Sequence, residues 1–454
     1  MPAVNHPARV AERIATLDLI SGGRVEFGTG ESSSAVELGG FLIDREHKRE
    51  MWHEQLDVIT RMLVEMPFAG HDGKYVQMPP RNVVPKPLQR PHPPVWVACS
   101  RRDTIHLAAR NGIGALSFSF VEPEDAGKWV REYYELVASE QCVPAGFAVN
   151  PAVAVVLPMM LARDEAEAID RGIDGAHFFG YSLAHYYGIS SHTAGVTDIW
   201  SEFERRRDES GFARHIVRAD QAPLGVRLLQ EGLGSLRGAI GTPAQVEDLI
   251  ARYQAAGVDQ VIFVLQSGRN RHEHICESLE LFAEKVLPRF AEGREEREAQ
   301  KRERLAHSIE AALARRSPAR TLRAPYVVDE VAELERRFGS GIAQRAMFTG
   351  MTRAFEPEAA AGFQGLLVYE LARPATGGAP TRWTIEVSDE HATARPGGAP
   401  NAALTVRLQL ADFVRVAAGT IDPAAPILEN RASFEGDFAL AARLAEMFGA
   451  PSPY

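Results

Sequence analysis

The chain has 454 residues, a formal net charge of -10, and 45% hydrophobic against 24% charged side chains. That length holds two domains, each with its own core, while the acidic balance argues against a sequence-nonspecific nucleic-acid binder. No apolar run reaches the roughly 18–20 residues of a membrane span, and the charges at Arg9, Glu12, Arg13 and Asp18 exclude a signal-peptide core.

Residues 1–291 alternate strand-like and helix-like segments. ATLDLISGGRVEFGTGESSS, at 15–34, reads as a helix, a short strand (Val25–Phe27) and a glycine-serine loop. Further strands are expected at Val95–Cys99, Ala115–Phe120, Ala152–Leu157 and Val261–Leu265. These are short apolar runs without period-two alternation, as strands buried on both faces require. Between them, Trp52, Leu56, Ile59 and Leu63 recur at helical spacing. Thr242, Pro243 and Gln245 form a capping box with proline at the first helical position, and Gly257 ends that helix. Repeated βα units of this kind imply a parallel sheet or a β/α barrel.

Residues 172–240 interrupt the rhythm with an aromatic, histidine-rich insertion, expected to cover a site or form an interface. Residues 292–319 open with EGREEREAQKRER and read as a solvated helical linker. Beyond them the period changes. Trp383, Ile385 and Val387 alternate with Thr384, Glu386 and Ser388; Leu404, Val406, Leu408 and Leu410 alternate with Thr405, Arg407 and Gln409. These read as strands of an antiparallel sheet with one wet face. A last helix carries Leu440, Leu444 and Phe448 on one stripe, so residues 320–454 are expected as a separate α+β domain.

Two stretches could carry chemistry. The loop GTGESS is a partial dinucleotide fingerprint, with Ser33 in place of the third glycine and no acidic residue at a strand end about 20 residues on. Loops at strand C-termini are nonetheless where β/α proteins bind ligands. VWVACSRRDTIHLAARNG runs a buried strand into a helix start, with Ser100 as N-cap and Asp103 at the third helical position. Free amides there, the hydroxyls of Ser100 and Thr104, and the charge of Arg101 suit a phosphate; the same residues also serve simply to cap a helix.

The histidines are scattered. His272 and His274 are two apart and diverge on a helix, and HExxH is absent, so no metal site is expected. His177 and His185, beside Tyr186 and Tyr187, read as packing or interface residues before acid–base ones. Cys99, Cys142 and Cys276 have neither metal-ligand nor CxxC spacing, which fits free thiols in a reducing cytoplasm.

HPARVAERIATLDLISGGRVEFGTG, PFAGHDGKYVQMPPRNVVPKPLQRPHPPVWVACS and AARNGIGAL, with the later GAIGTPAQVEDLIARYQAAGVDQVIFVLQSG, together resemble the bacterial luciferase-like flavin-dependent monooxygenases. The resemblance implies a (β/α)8 TIM-barrel-type domain over 1–291, reduced FMN supplied by a partner flavin reductase, O2, and a small organic substrate; a related branch uses a deazaflavin. It places the flavin phosphate at Ser100, Arg101 and Thr104, with Gly30 and Ser33 beside them. Glu31 stands where the luciferases place a phosphate-binding arginine, and a carboxylate there repels a phosphate. By the same resemblance 15–30 is the fourth βα unit. Five strands are then expected where eight belong, which points to a start upstream of Met1, to a second chain that fills the gap, or to a barrel that no longer works.

GFQGLLVYELARP, RWTIEVSDEHATARPGG and AALTVRLQLADFVRVAAGTIDPAAPILENRASFEGDFALAARLAEMF resemble the sterol carrier protein type two domain. That implies a five-stranded sheet with helices around an apolar tunnel for a lipophilic small molecule, lined by Phe363, Leu367, Phe413, Val416 and Ile427. The combined expectation is a flavin-dependent monooxygenase with an appended lipid carrier, forming a homo-oligomer, with the catalytic residues unassigned. The competing expectation is a non-catalytic lipid- or acyl-binding protein on a degenerate barrel scaffold.

Overall fold

Five short strands within residues 27–264 assemble in one parallel sheet, whose three central members, buried on both faces, need covering helices. The computed structural model describes residues 4–32, 34–99, 101–117, 122–187, 191–210, 212, 214 and 237–449. The chain divides into two units, Met1–Ala324 and Pro325–Tyr454.

In the first unit the strands are β1 (Phe27–Thr29), β2 (His71–Asp72), β3 (Gln77–Met78), β4 (Val95–Cys99), β5 (Gly114–Ser117), β6 (Val153–Leu161), β7 (Ala239–Gly241) and β8 (Gln260–Val264). The sheet runs β1-β4-β5-β6-β8, all parallel, and β7 pairs with the last residues of β6. β2 and β3 form a separate hairpin. β1 starts two residues later than expected from the sequence. The carbonyl of Val25 is taken by the Gln89 side chain at 2.7 Å, and Asp18 accepts from the same residue's amide, so the turn before the strand is pinned to a distant loop rather than to the ladder.

The helix-facing side of this sheet is one core. Val95, Val97, Cys99, Ala115, Val153, Val155 and Leu157 meet Trp52, Leu56, Ile59 and Leu63, the four residues whose spacing marked the helix Lys48–Val64. Each such fully buried large side chain contributes roughly 1.5–3 kcal/mol. The opposite face carries Trp96, Ala152 and Ala154. Gly114 is required there: a Cβ on it would lie 2.3 Å from Cε3 of Trp96. The capping box of Thr242 and Gln245 forms as the sequence indicates, on helix Pro243–Ala255.

The two edges of the sheet, β1 and β8, are not paired to each other by backbone, yet both ends are bridged. At their N-terminal ends Gln260 Nε2 donates to Glu26 Oε1 at 3.4 Å. At their C-terminal ends the helix Glu165–Tyr187 touches both sides. Ser267, in the loop after β8, donates to the carbonyl of Gly175 at 2.8 Å, and the short helix Ala35–Gly40 after β1 packs on the same long helix.

The charge-rich stretch after residue 292 is helical, Arg294–Arg315, but one stripe of it is buried, with Leu305 6% and Ala312 0% exposed. Lys301 binds Asp259 at 2.8 Å, and Asp259 also accepts from Tyr134 and from the amide of Val153. Arg316, just beyond, bonds Asp57 at 2.9 Å and covers the Phe147 ring. This segment is therefore packed onto the first unit.

The second unit holds β9 (Gly365–Arg373), β10 (Gly378–Val387), β11 (Ala392–Pro396), β12 (Leu404–Gln409) and β13 (Ala432–Gly436), in the order β11-β10-β9-β12-β13. The sheet is mixed, not purely antiparallel as alternation alone suggested: the central pair β9 and β12 is parallel. The β10–β11 hairpin builds outward on one side of β9, and the chain returns to the other side in the same direction. Trp383, Ile385, Val387, Leu404 and Val406 face the helices and are buried. Thr384, expected on the wet face, is also buried, its hydroxyl donating to the Gly397 carbonyl at 2.7 Å.

Candidate functional site

β1 and β4 are parallel neighbours, so the loops that leave their C-terminal ends lie side by side, the position at which β/α proteins hold ligands. The contact is locked from below. Thr29 Oγ1 donates to the Trp96 carbonyl at 2.8 Å and accepts from the Trp52 indole at 3.2 Å. Gly30 therefore sits beside Ala98, within ordinary van der Waals distance even of an added Cβ. Ser33 and Ser100 lie outside the described residues. The helix after β4 spans Arg102–Arg110, and its N-cap is Arg101, with extended backbone and no side-chain cap bond. Asp103 is thus one position nearer the N-terminus than expected, and it pairs with Arg101 at 3.5 Å instead of closing a capping box. Thr104 is buried in the first turn.

No local pattern announces what surrounds Glu31. Its carboxylate is nearly buried, bonded to Arg49 at 2.9 Å and 3.8 Å from the Lys48 ammonium, both at the start of the helix Lys48–Val64. Lys48 also donates to the Ser32 carbonyl. Burial pushes the Lys48 ammonium below the usual lysine range; Glu31 opposes this, while Arg49, Arg45 and Arg101 add to it by repulsion. The hydrogen bond that Arg49 donates to Glu31 holds Arg49 more firmly protonated. Glu31 is therefore paired with two cations: four cations (Arg45, Lys48, Arg49, Arg101) lie near three carboxylates (Glu31, Asp103 and Glu37, which accepts from the Ser32 hydroxyl at 2.6 Å). The excess of positive charge beside an N-terminus that the Arg101 side chain leaves uncapped is a donor set that fits a phosphate.

A second charged group lies on the outer side of the same helix. Glu132 accepts from Arg102 at 2.7 Å and meets His106 at 2.9 Å, which together hold its carboxyl at about 2. This ties helix Arg102–Arg110 to helix Pro123–Val137 and keeps the helix start in place.

The histidines of the insertion are buried among aromatic rings. His177 lies 5.8 Å from Phe212, and His185 meets His192 at 3.3 Å with Glu202 at 3.8 Å. His272 faces Cys276 at 3.5 Å. Among the described residues no group of three or more His, Cys, Asp or Glu is placed to hold a metal ion, and no helix is long and apolar enough to cross a membrane.

In the second unit Leu367 and Phe413 belong to one core, with Phe363 packed against it. Val416 is half-buried and Ile427 is 42% exposed on the short helix Ala425–Leu428, so these two are not brought to the same core. Trp383, Phe348 and Tyr369, not singled out from sequence as ligand-facing, form its centre.

Residues 1–260 match the family model of luciferase-like monooxygenases. The chain belongs to that family. Residues 352–449 match the SCP-2 sterol transfer family. The oxygenase component of the flavin-dependent trigonelline monooxygenase of Acinetobacter baylyi is 23% identical over 298 residues, covering 64% of this chain and 75% of that protein. The uncharacterized protein y4wF of Sinorhizobium fredii is 29% identical over 165 residues, 36% of this chain. The chain spans about half the length of such curated relatives, 46% for y4wF and 48% for y4vJ of the same organism. The crystal structure of the monooxygenase RslO1 from Streptomyces bottropensis aligns with a TM-score of 0.47 at 23% identity, over 64% of this chain and 76% of that one.

Proposed function

We propose that this luciferase-like chain is the oxygenase of a two-component flavin-dependent monooxygenase, whose N-terminal domain (1–291) takes reduced FMN from a partner reductase. Residues 320–454 are its carrier domain for a lipophilic small molecule. The observation that carries the reading is the cation cluster of Lys48, Arg49 and Arg101 at the C-terminal ends of β1 and β4. Arg101, Thr104 and the first-turn amides would hold the phosphate, with Gly30 giving close backbone approach and Ser33 and Ser100 adding hydroxyls. Lys48 and Arg49 cancel Glu31 so that the phosphate is not repelled. When bound, reduced flavin supplies the electrons for O2 activation; the chain positions it and excludes water. The Acinetobacter relative is an oxygenase component, which supports the two-component assignment. A deazaflavin carries a phosphate too and would use the same donors.

Fluorescence titration of the 454-residue chain with FMN tests this. Saturable quenching that Arg101→Glu abolishes is the expected result. No quenching, together with stoichiometric bound lipid, would replace the oxygenase by a lipid-binding protein.

A further inference from the structure

The side chains at the centre of the second unit say more about its cargo than that it is apolar. Helix Gly341–Arg353 lies on the sheet through two fully buried side chains, Gln344 and Phe348, with Met347 and Met351 partly buried beside them. The Phe348 ring stands between two others, 4.8 Å from Trp383 with the planes 14° apart and 5.1 Å from Phe413 with the planes 22° apart. Tyr369 closes the side, edge-on to Phe348 at 5.7 Å and to Phe413 at 5.5 Å. Trp383 on β10 and Phe413 on helix Leu410–Ala417 thus form the walls of a slot one ring thick, and Phe348 fills it.

One turn before Phe348, on the same face of the helix, Gln344 accepts the Trp383 indole N–H at 2.9 Å. That bond fixes the amide orientation, since the indole can only donate. It leaves Gln344 Nε2 buried with no hydrogen-bond partner, on a residue only 1% exposed. A buried donor without an acceptor opposes folding and gains an apolar core nothing. The helix that carries both residues is weakly held. Gly341 and Gly350 lower its intrinsic stability, Ile342 is 86% exposed, and an element with only two fully buried side chains opens more readily than the strands it covers.

We propose that the slot between Trp383 and Phe413 is a binding site for a planar aromatic ligand with a hydrogen-bond acceptor on its edge, and that Phe348 occupies it until helix Gly341–Arg353 moves aside. The ligand takes over the two stacking faces of Phe348, and its acceptor satisfies Gln344 Nε2. This rests on the reading of the second unit as a carrier and narrows its cargo from aliphatic chains to flat ring systems.

Three probes test it on the full chain by calorimetric titration: quinoline, naphthalene (the same shape without the ring nitrogen) and palmitate. Quinoline is expected to bind at one site about tenfold more tightly than naphthalene, the worth of one buried hydrogen bond. Gln344→Leu should bring the two within about twofold. Amide exchange of residues 341–353 in the unsubstituted chain should accelerate when quinoline binds, a readout that does not depend on any variant folding. Palmitate binding ahead of quinoline would overturn the aromatic assignment and leave the carrier intact. Quinoline and naphthalene binding equally, with exchange unchanged, makes Phe348 ordinary core packing. No binding of any probe removes the carrier reading and this inference together.

Discussion

At the scale of the residue, Glu31 is the carboxylate in the loop after β1 that the proposed phosphate site must accommodate. Its partners are 17 and 18 positions away, on a helix whose REHKRE start reads as one more solvated charge run, so no local pattern announces them. Arg49→Met should weaken FMN binding about tenfold, because a nearly buried carboxylate is then left facing the phosphate with Lys48 alone. Glu31→Gln should strengthen it by a few-fold, and both effects should shrink as salt is raised. Fluorescence titration at low and high salt reads all three outcomes. Glu132 makes a separate prediction. Arg102 first, then His106, depress its carboxyl from 4.5 to about 2. A depressed folded-state value means the ion pair stabilises above the unfolded value and is lost as the pH falls through the folded one. Glu132→Gln should therefore be less stable than the parent at neutral pH, with the difference closing between about 4.5 and about 2. Urea melts stepped down in pH would show a constant difference if the pair contributes nothing. The position of Arg101 at a strand-to-helix junction was legible from sequence, because that needs no tertiary information; the pairing of Lys48 and Arg49 with Glu31 was not, because only chain crossing brings them together.

At the scale of the element, the helix Arg294–Arg315 shows what charge composition hides. Nearly every residue of its first three turns is charged, yet the buried stripe needs only Leu305 and Ala312, too few to raise a periodic signal. Leu305→Asp should cost about 2–4 kcal/mol of first-unit stability, measured by urea unfolding, where a solvated linker would lose at most about 0.5 kcal/mol. The five parallel strands were legible as short apolar runs without alternation; β4, β5 and β6 are buried as that pattern requires, whereas the edge strands β1 and β8 are not, with Ile262 41% exposed. Their ends shifted where side chains compete for carbonyls, as Gln89 does at Val25. In the second unit, alternation identified β10 and β12 but not that β12 lies parallel to β9; strand direction depends on the path of the connection, which period two does not encode.

At the scale of the whole molecule, the described residues form two units, each with its own main core, and along the chain an exposed stretch separates them, residues 317–321 and 323–330. Limited proteolysis should cut first within 317–330, and calorimetry should resolve two transitions, since separate cores unfold as separate cooperative units. Of the five tryptophans only Trp383 lies in the second unit, so removing it in Trp383→Phe should leave the fluorescence-detected transition of the first unit in place. What the sequence by itself determined is the local and the repetitive: helix and strand periods, the Thr242 capping box, the change of period that separates two domains, and the wording that marks two families. Each depends on residues within a few positions of one another. What only the tertiary structure decided is every property that depends on residues far apart meeting: the neutralisation of Glu31, the bridges between β1 and β8, the burial of the charged helix, and the three-ring stack around Phe348. Charge and packing act through space, and the chain's own order does not record those distances.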